Sequence, residues 1–307
     1  MGTALSTNGL TKHYGGTRAV DGLTFNVPEG SIFGFLGPNG AGKTTTFSLL
    51  CGFARATRGK ATILGEPLSR LDLVRHRMSA LPQDARFHPA RKIRDGLRFL
   101  AELGGMERSD AKKEADRVLE AVGLQDARSV KGRALSHGMA KRFGIAQAFL
   151  GKPELVLLDE PTEGLDPRTA HKVRELIASL AHKSTVLVSS HNLSEVEDLC
   201  DHAAIIDKGK LVRQGTLAEL TDADEVLIVS LGTGSPDPTK VLSAMGEVVT
   251  VELSPTRDKV RLTLKPGEDT PVEAAITAVL KTIIESGATI GDLHRGRSLE
   301  ERFLELT

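Results

Sequence analysis

GPNGAGKTT, at residues 37–45, is the most informative local pattern in this 307-residue chain. It fits the phosphate-loop pattern G-x-x-x-x-G-K-[ST], in which glycines let backbone N–H groups approach phosphate oxygens. Lys43 adds a compact positive charge and Thr44 offers a hydroxyl to Mg²⁺. An apolar run precedes the stretch and residues 44–50 follow without a helix breaker, as a buried strand and a helix would. The predicted polyphosphate-binding residues are Gly37, Pro38, Asn39, Gly40, Ala41, Gly42, Lys43, Thr44 and Thr45.

The bulk composition excludes several classes of protein. Lysine plus arginine and aspartate plus glutamate both number 40, so the net charge is zero, which argues against a dedicated nucleic-acid binder. The 2 cysteines, Cys51 and Cys200, have no metal-ligand spacing, which is typical of a reducing cytosol. The chain lacks an apolar run of about 18 residues and a signal-peptide core. We therefore expect any membrane association to come through a partner.

Two further apolar runs end in polar residues. Residues 155–158 are all apolar and precede Asp159 and Glu160, which indicates a buried parallel strand with two carboxylates at its carboxyl end. Open α/β sheets bind ligands at that edge. Asp159 is suited to hold Mg²⁺, and Glu160 to position or deprotonate a water. Residues 185–188 form a similar run that leads to His191, which we predict to contact the γ-phosphate.

The middle of the chain has helical spacing. We predict a helical subdomain over about residues 85–150, with Ser109 as the N-cap of a helix that ends at residue 122. A helix over residues 140–150 is predicted with Ser136 placed to cap it, and another follows at residues 168–181.

Tyr14 is the only tyrosine in a chain without tryptophan. Its position before the phosphate loop allows two interpretations, an aromatic ring that stacks on a purine base or a strand residue packed on a sheet. The spacing of residues alone does not separate them.

A composition shift near residues 221–224 predicts a boundary between a first domain, 1–222, and a second, 223–307. The second domain is predicted to be a small α+β unit of the ferredoxin-like β-α-β-β-α-β type. Its elements are predicted at residues 226–231, 238–245, 248–253, 259–264, 271–286 and 289–294. A last helix at 299–306 has Ser298 and Glu301 in the positions of a capping box.

The motifs occur in a diagnostic order. The phosphate loop, LSHGM at 135–139, LVLLDEP at 155–161, GLD at 164–166 and the strand-end His191 resemble the nucleotide-binding subunit of ATP-binding cassette (ABC) transporters over about residues 5–220. The resemblance implies an α/β P-loop ATPase domain with a helical subdomain, and ATP with Mg²⁺ as its ligands.

The resemblance also implies a role for each matching residue. Tyr14 matches the adenine-stacking aromatic residue, which favours that interpretation. Gln83 matches the glutamine that senses Mg²⁺ and couples to the membrane partner. Asp159 matches the magnesium ligand, Glu160 the catalytic carboxylate and His191 the switch histidine.

Further residues match the family's dimer interface. Ser136, His137 and Gly138 match the signature that completes the site of an opposite subunit, and Asp166 matches the aspartate that links the two sites. In the family, two such subunits close head to tail over two ATP molecules. The partners implied are a second subunit, a homodimer being expected, and a membrane permease in a separate chain, with no nucleic acid and no direct membrane insertion.

Three residues depart from the family pattern. The usual signature is LSGGQ, whereas here His137 replaces a glycine and Met139 replaces the glutamine. Glu163 stands where a small or neutral residue is usual. We expect these departures to affect the rate of hydrolysis and the closure of the dimer more than nucleotide binding.

The ending SLEERFLELT resembles the tail of bacterial subunits that pair with ABC-2-type export permeases. The implied function is an ATPase subunit that powers export from the cytoplasmic face of the plasma membrane, attached through its permease. One alternative is a soluble ABC-type ATPase acting on the ribosome or on DNA, but such chains usually carry two cassettes or a long coiled coil. Another is a module that holds ATP without turnover, against which Glu160 and His191 argue.

Overall fold

The computed structural model describes residues 2–85, 87–181, 184–221, 226–264, 272–296 and 299–306. It divides into two compact units, residues 1–214 and 215–307. The functional boundary after residue 222 stays a prediction. Among the described residues, no helix combines the length and the apolar character needed to cross a bilayer.

The first unit combines two sheets with helices. Its strands are β1 (Thr3–Tyr14), β2 (Thr17–Leu23), β3 (Asn26–Pro28), β4 (Ile32–Leu36), β5 (Arg58–Ile63), β6 (Glu66–Pro67), β7 (Met78–Leu81), β8 (Leu155–Asp159), β9 (Thr185–Ser190), β10 (His202–Asp207) and β11 (Lys210–Thr216), the last of which runs past the division between the units. Its helices are α1 (Lys43–Leu50), α2 (Ile93–Leu103), α3 (Arg108–Ala121), α4 (His137–Ala148), α5 (Pro167–Leu180) and α6 (Leu193–Leu199). One sheet has the order β2-β1-β5-β6, with β3 paired to β1, and the other has the order β11-β10-β4-β9-β8-β7.

The second sheet carries the core of the unit. Neighbouring strands from β10 through β4, β9 and β8 to β7 pair in parallel. Every residue of β8 and β9 is buried. Leu155 and Leu157 pack into one apolar cluster, whereas Val156 and Leu158 pack into another with Phe143 of α4. Because side chains alternate between the faces of a strand, the continuous apolar run is explained by burial on both faces.

The predicted helices of this unit exist, but their bounds differ from the predicted ones. The prediction of Ser109 as an N-cap is wrong: the carbonyl of Glu107 accepts hydrogen bonds from the N–H groups of Asp110 and Ala111, at 3.0 and 2.8 Å, so Ser109 lies inside α3. Helix α4 begins at His137 rather than at residue 140 because the Ser136 hydroxyl accepts a hydrogen bond from the Met139 N–H at 3.3 Å. Ser136 is therefore the N-cap, as predicted.

The second unit contains α7 (Leu217–Thr221), β12 (Val226–Leu231), α8 (Thr239–Leu242), β13 (Val248–Leu253), β14 (Lys259–Leu264), α9 (Val272–Glu285), β15 (Ile290–Arg295) and α10 (Leu299–Leu306). The six central elements follow the predicted order, and β13-β14-β12-β15 form an antiparallel sheet. Helix α8 is shorter than predicted because the N–H groups of Ala244 and Met245 bond to carbonyls three residues back, which ends the α-helical pattern. The side chains of the predicted capping box at Ser298 and Glu301 lie outside the described residues.

Candidate active site

The phosphate loop joins β4 to α1 and depends on its glycines. Gly42 has φ +103°, and a Cβ added there would lie 2.4 Å from the carbonyl oxygen of Ala19. A Cβ at Gly37 would lie 2.5 Å from the carbonyl oxygen of Ile206. Among the residues that the structure describes, no side chain caps α1 at its N-cap, Gly42, and the first turn of the helix carries no acid. The N–H groups at this helix end are therefore left to bind an anion such as a phosphate.

The Lys43 ammonium points into the loop. Lys43 is only 6% exposed, and its Nζ donates to the carbonyl oxygens of Gly37 at 2.8 Å and Pro38 at 3.3 Å. The same Nζ lies 3.3 Å from Oε1 of Glu160. A buried ammonium thus stands between the phosphate loop and the carboxylate at the end of β8.

Asp159 is held by hydroxyl groups from two neighbouring elements. Its Oδ1 accepts a hydrogen bond from Ser189 Oγ at 2.5 Å, and the Thr44 side chain also bonds to it. Burial raises the pKa of the Asp159 carboxyl above its usual range, and the two hydroxyl bonds oppose that rise. A desolvated carboxylate beside a threonine hydroxyl supplies the oxygen donors that Mg²⁺ prefers.

Glu160 joins the ends of β8 and β9. Its N–H donates to Ser189 Oγ at 2.9 Å, and its Oε2 lies 3.0 Å from Nδ1 of His191 at the end of β9. Its backbone has φ +48°, a conformation that residues other than glycine rarely adopt and that clusters at functional sites. The structure therefore brings Lys43, Asp159, Glu160 and His191 together at one edge of the sheet, where the sequence predicts them to meet.

Gln83 follows β7, the strand next to β8. Its Nε2 donates to Oε2 of Glu163 at 2.5 Å. The Lys141 Nζ from α4 donates to the carbonyl oxygen of Glu160 at 3.2 Å. Gln83 thus reaches the acidic loop that follows β8.

Tyr14 ends β1 with half of its surface exposed. The Lys12 Nζ lies 4.7 Å from the centre of its ring, within the range of a cation–π contact. The ring is 51% exposed, so it is not buried against the sheet. This exposure leaves room for a stacking partner.

The signature residues and Asp166 occupy helix starts. Asp166 caps α5, accepting hydrogen bonds from the N–H and the hydroxyl of Thr169 at 3.0 and 2.6 Å, and these bonds lower the pKa of its carboxyl. Ser136 caps α4, and His137 lies so close to Gly164 that a Cβ there would come within 3.2 Å of its Nε2. Within the described part of the chain, no hydrogen bond or ion pair joins Ser136, His137 or Gly138 to the phosphate loop.

Two side chains of this site were not predicted from the sequence. Ser189 bridges the backbone of Glu160 and the carboxylate of Asp159, and Lys141 contacts the loop beyond them. The polar residue that directly follows the apolar run 186–188 was a usable signal for Ser189, because a buried hydroxyl requires a hydrogen-bond partner. Lys141 offered no comparable signal.

Comparison with known proteins identifies the family. A family model described as ABC transporter matches residues 20–163. Bacitracin transport ATP-binding protein BcrA of Bacillus licheniformis is 43% identical over 219 residues, which cover 70% of each chain. Nod factor export ATP-binding protein I of Paraburkholderia xenovorans (strain LB400) is 32% identical over 306 residues, 99% of this chain and 97% of that protein.

Solved structures of ATP-binding cassettes share the fold of most of this chain. The structure of an ATP-binding subunit of an ABC transporter has a TM-score of 0.65 at 28% identity, covering 72% of this chain and 92% of that one. A dimeric post-hydrolysis cassette, MJ0796 bound to ADP and phosphate, has a TM-score of 0.64 at 22% identity, covering 69% and 98%. Because relatives match along nearly the whole length and the motifs lie at one site, this chain belongs to the ATP-binding subunits of ABC transporters.

Proposed function

We propose that this chain hydrolyses ATP to drive a separate membrane permease in the direction of export. The observation that carries the proposal is the Glu160 carboxylate, which is buried and lies within 3.3 Å of Lys43 and 3.0 Å of His191. During hydrolysis the oxygen of a water bonds to the γ-phosphorus, the bond to the bridging oxygen breaks, and Glu160 accepts the proton of the water. His191 holds the carboxylate in place.

Mg²⁺ would be held by the Thr44 hydroxyl, the Asp159 carboxylate and the Gln83 amide oxygen. Among the described residues, no group of three or more His, Cys, Asp or Glu side chains is placed to bind a metal alone. A site with the single carboxylate of Asp159 suits Mg²⁺, because this cation often takes one or two carboxylates together with phosphate oxygens and water. Bound there, the cation would neutralise charge on the phosphates.

A second copy would complete the site. Ser136 and Asp166 stand at the exposed starts of α4 and α5. A helix start with a capping serine presents donors to an anion that arrives from outside the subunit. We therefore expect two chains to close head to tail, each offering Ser136, His137 and Gly138 to the nucleotide on the other.

Export is favoured by the relatives that match the whole chain. The Nod factor export proteins align over residues of both units. Two relatives that match 70% and 71% of the chain are described as bacitracin transport and daunorubicin/doxorubicin resistance proteins. Family membership favours this function over the alternative of an ATPase acting on the ribosome or DNA.

Purification from membranes tests the transport assignment. A tagged copy of the chain, extracted in mild detergent, is expected to bring with it a partner with several apolar helices of about 20 residues each. Mass spectrometry of the complex would identify that partner. Recovery of ribosomes or DNA, with the permease absent, would favour the alternative.

Tyr14 provides a direct measure of nucleotide binding. Because the chain has 1 tyrosine and no tryptophan, its intrinsic fluorescence comes from Tyr14. Stacking of adenine on this exposed ring is expected to quench the emission in a saturable way. Free tyrosine amide at the same ATP concentrations corrects for absorption by the nucleotide. Saturable ATP binding by another assay, with unchanged Tyr14 emission, would contradict the stacking role.

A further inference from the structure

The loops after β7 and β8 are joined by one short hydrogen bond. Gln83 Nε2 lies 2.5 Å from Oε2 of Glu163, and both side chains are partly buried. Glu163 is also one of the residues that depart from the family pattern. The contact therefore links the predicted magnesium-sensing glutamine to a residue that departs from the usual family pattern.

The chemistry of the two groups fixes how the amide is turned. An ionised carboxylate only accepts hydrogen bonds, whereas the Gln83 amide has a donating NH₂ and an accepting oxygen. Glu163 can therefore bond to Nε2 and not to Oε1. The amide oxygen, which is the only atom of this side chain that can ligate a cation, stays unblocked by Glu163. A neutral amide at position 163 would accept either orientation of Gln83.

The surroundings place a positive charge near this contact. Gln83 and Glu163 line a cavity of about 520 Å³ together with Asp159, His137 and Lys141. Burial lowers the pKa of the Lys141 ammonium, and the negative charge of Glu163 is the largest effect that opposes the change. Lys141 thus places a positive charge near Glu163 inside a partly desolvated space. The attraction between these two side chains is less screened there than in water.

We infer that Glu163 is a positioning residue that turns the Gln83 amide so that its oxygen faces the cation held at Asp159, and thereby sets the Mg²⁺ concentration that hydrolysis requires. This inference rests on the proposed function, because it deepens the role given to Gln83. The cavity connects the two residues to Asp159.

The test is the Mg²⁺ dependence of ATP hydrolysis in Glu163→Gln. Loss of a residue that orients a metal ligand commonly costs about tenfold or more in metal affinity. We expect the Mg²⁺ concentration for half-maximal rate to rise about tenfold. The rate at saturating Mg²⁺, and ATP binding without Mg²⁺ measured by Tyr14 fluorescence, should match the unaltered chain.

Glu175→Gln, an exposed change on α5, is the matched control. An unchanged or lower Mg²⁺ requirement would overturn the inference.

Testing the same change in a Gln83→Ala variant distinguishes a failure of this inference from a failure of the proposed function. In Gln83→Ala the change at Glu163 should have no further effect, because the amide it orients is missing. If Gln83→Ala alone leaves the Mg²⁺ requirement unchanged, the metal role of Gln83 fails. If Gln83→Ala raises it and Glu163→Gln does not, only the positioning role fails. The Mg²⁺ dependence of the melting temperature with a non-hydrolysable ATP analogue gives the same comparison without turnover.

Discussion

Glu160→Gln is expected to remove most ATP hydrolysis and to leave the chain as an ATP-bound dimer. Glutamine has nearly the same shape, so it fits a position that is 4% exposed, but it cannot accept a proton from the attacking water. Loss of a general base typically lowers a rate by about 10²–10⁴-fold. ATP that is bound and not cleaved would keep the two copies closed.

Steady-state hydrolysis and size-exclusion chromatography with light scattering measure the two effects. The control is again Glu175→Gln, whose carboxylate is exposed, so the rate and the assembly should not change. Hydrolysis by Glu160→Gln at the normal rate would show that another group deprotonates the water. A loss of hydrolysis without an ATP-dependent dimer would agree with the catalytic role of the Glu160 carboxylate. It would contradict the proposal that bound ATP holds two copies together.

The sequence predicts the centre of the site well because that centre is built from short continuous stretches of the chain, each with a recognisable pattern. Strands β8 and β9 are buried on both faces, so apolar runs predict them, and parallel pairing brings their carboxyl ends to one edge. The phosphate loop is likewise a local pattern whose glycines are required by close backbone approach. Asp159, Glu160 and His191 meet where these local signals place them.

Other parts depend on contacts between distant residues and could not be predicted in the same way. Strand β1 is 12 residues long and mixes polar with apolar side chains, and it pairs with β5 about fifty positions later. Helix α6 is only 7 residues long, so its apolar spacing is too short to detect. The bond between Gln83 and Glu163 joins residues 80 positions apart, and neither side chain alone predicts the other.

Lys43→Ala is expected to weaken ATP binding by at least about tenfold, because a hydrogen bond to a charged group is worth about 1.5–3 kcal/mol. The same change should also destabilise the fold. The Glu160 carboxylate, with its side chain 5% exposed, loses the ammonium that lies 3.3 Å away. Removing one member of a buried ion pair can cost as much as about 3–5 kcal/mol. A loss of binding in this variant therefore has two possible origins.

The double variant Lys43→Ala/Glu160→Gln separates those origins. Glutamine removes the uncompensated buried charge, so the melting temperature should return toward that of the unaltered chain, while ATP binding measured by Tyr14 fluorescence stays weak. The single variant Glu160→Gln, which keeps Lys43, serves as the binding control. Recovery of both stability and ATP binding in the double variant would mean that Lys43 acts by neutralising Glu160 and not by contacting the phosphates. Recovery of stability alone is the result that a phosphate-binding lysine requires.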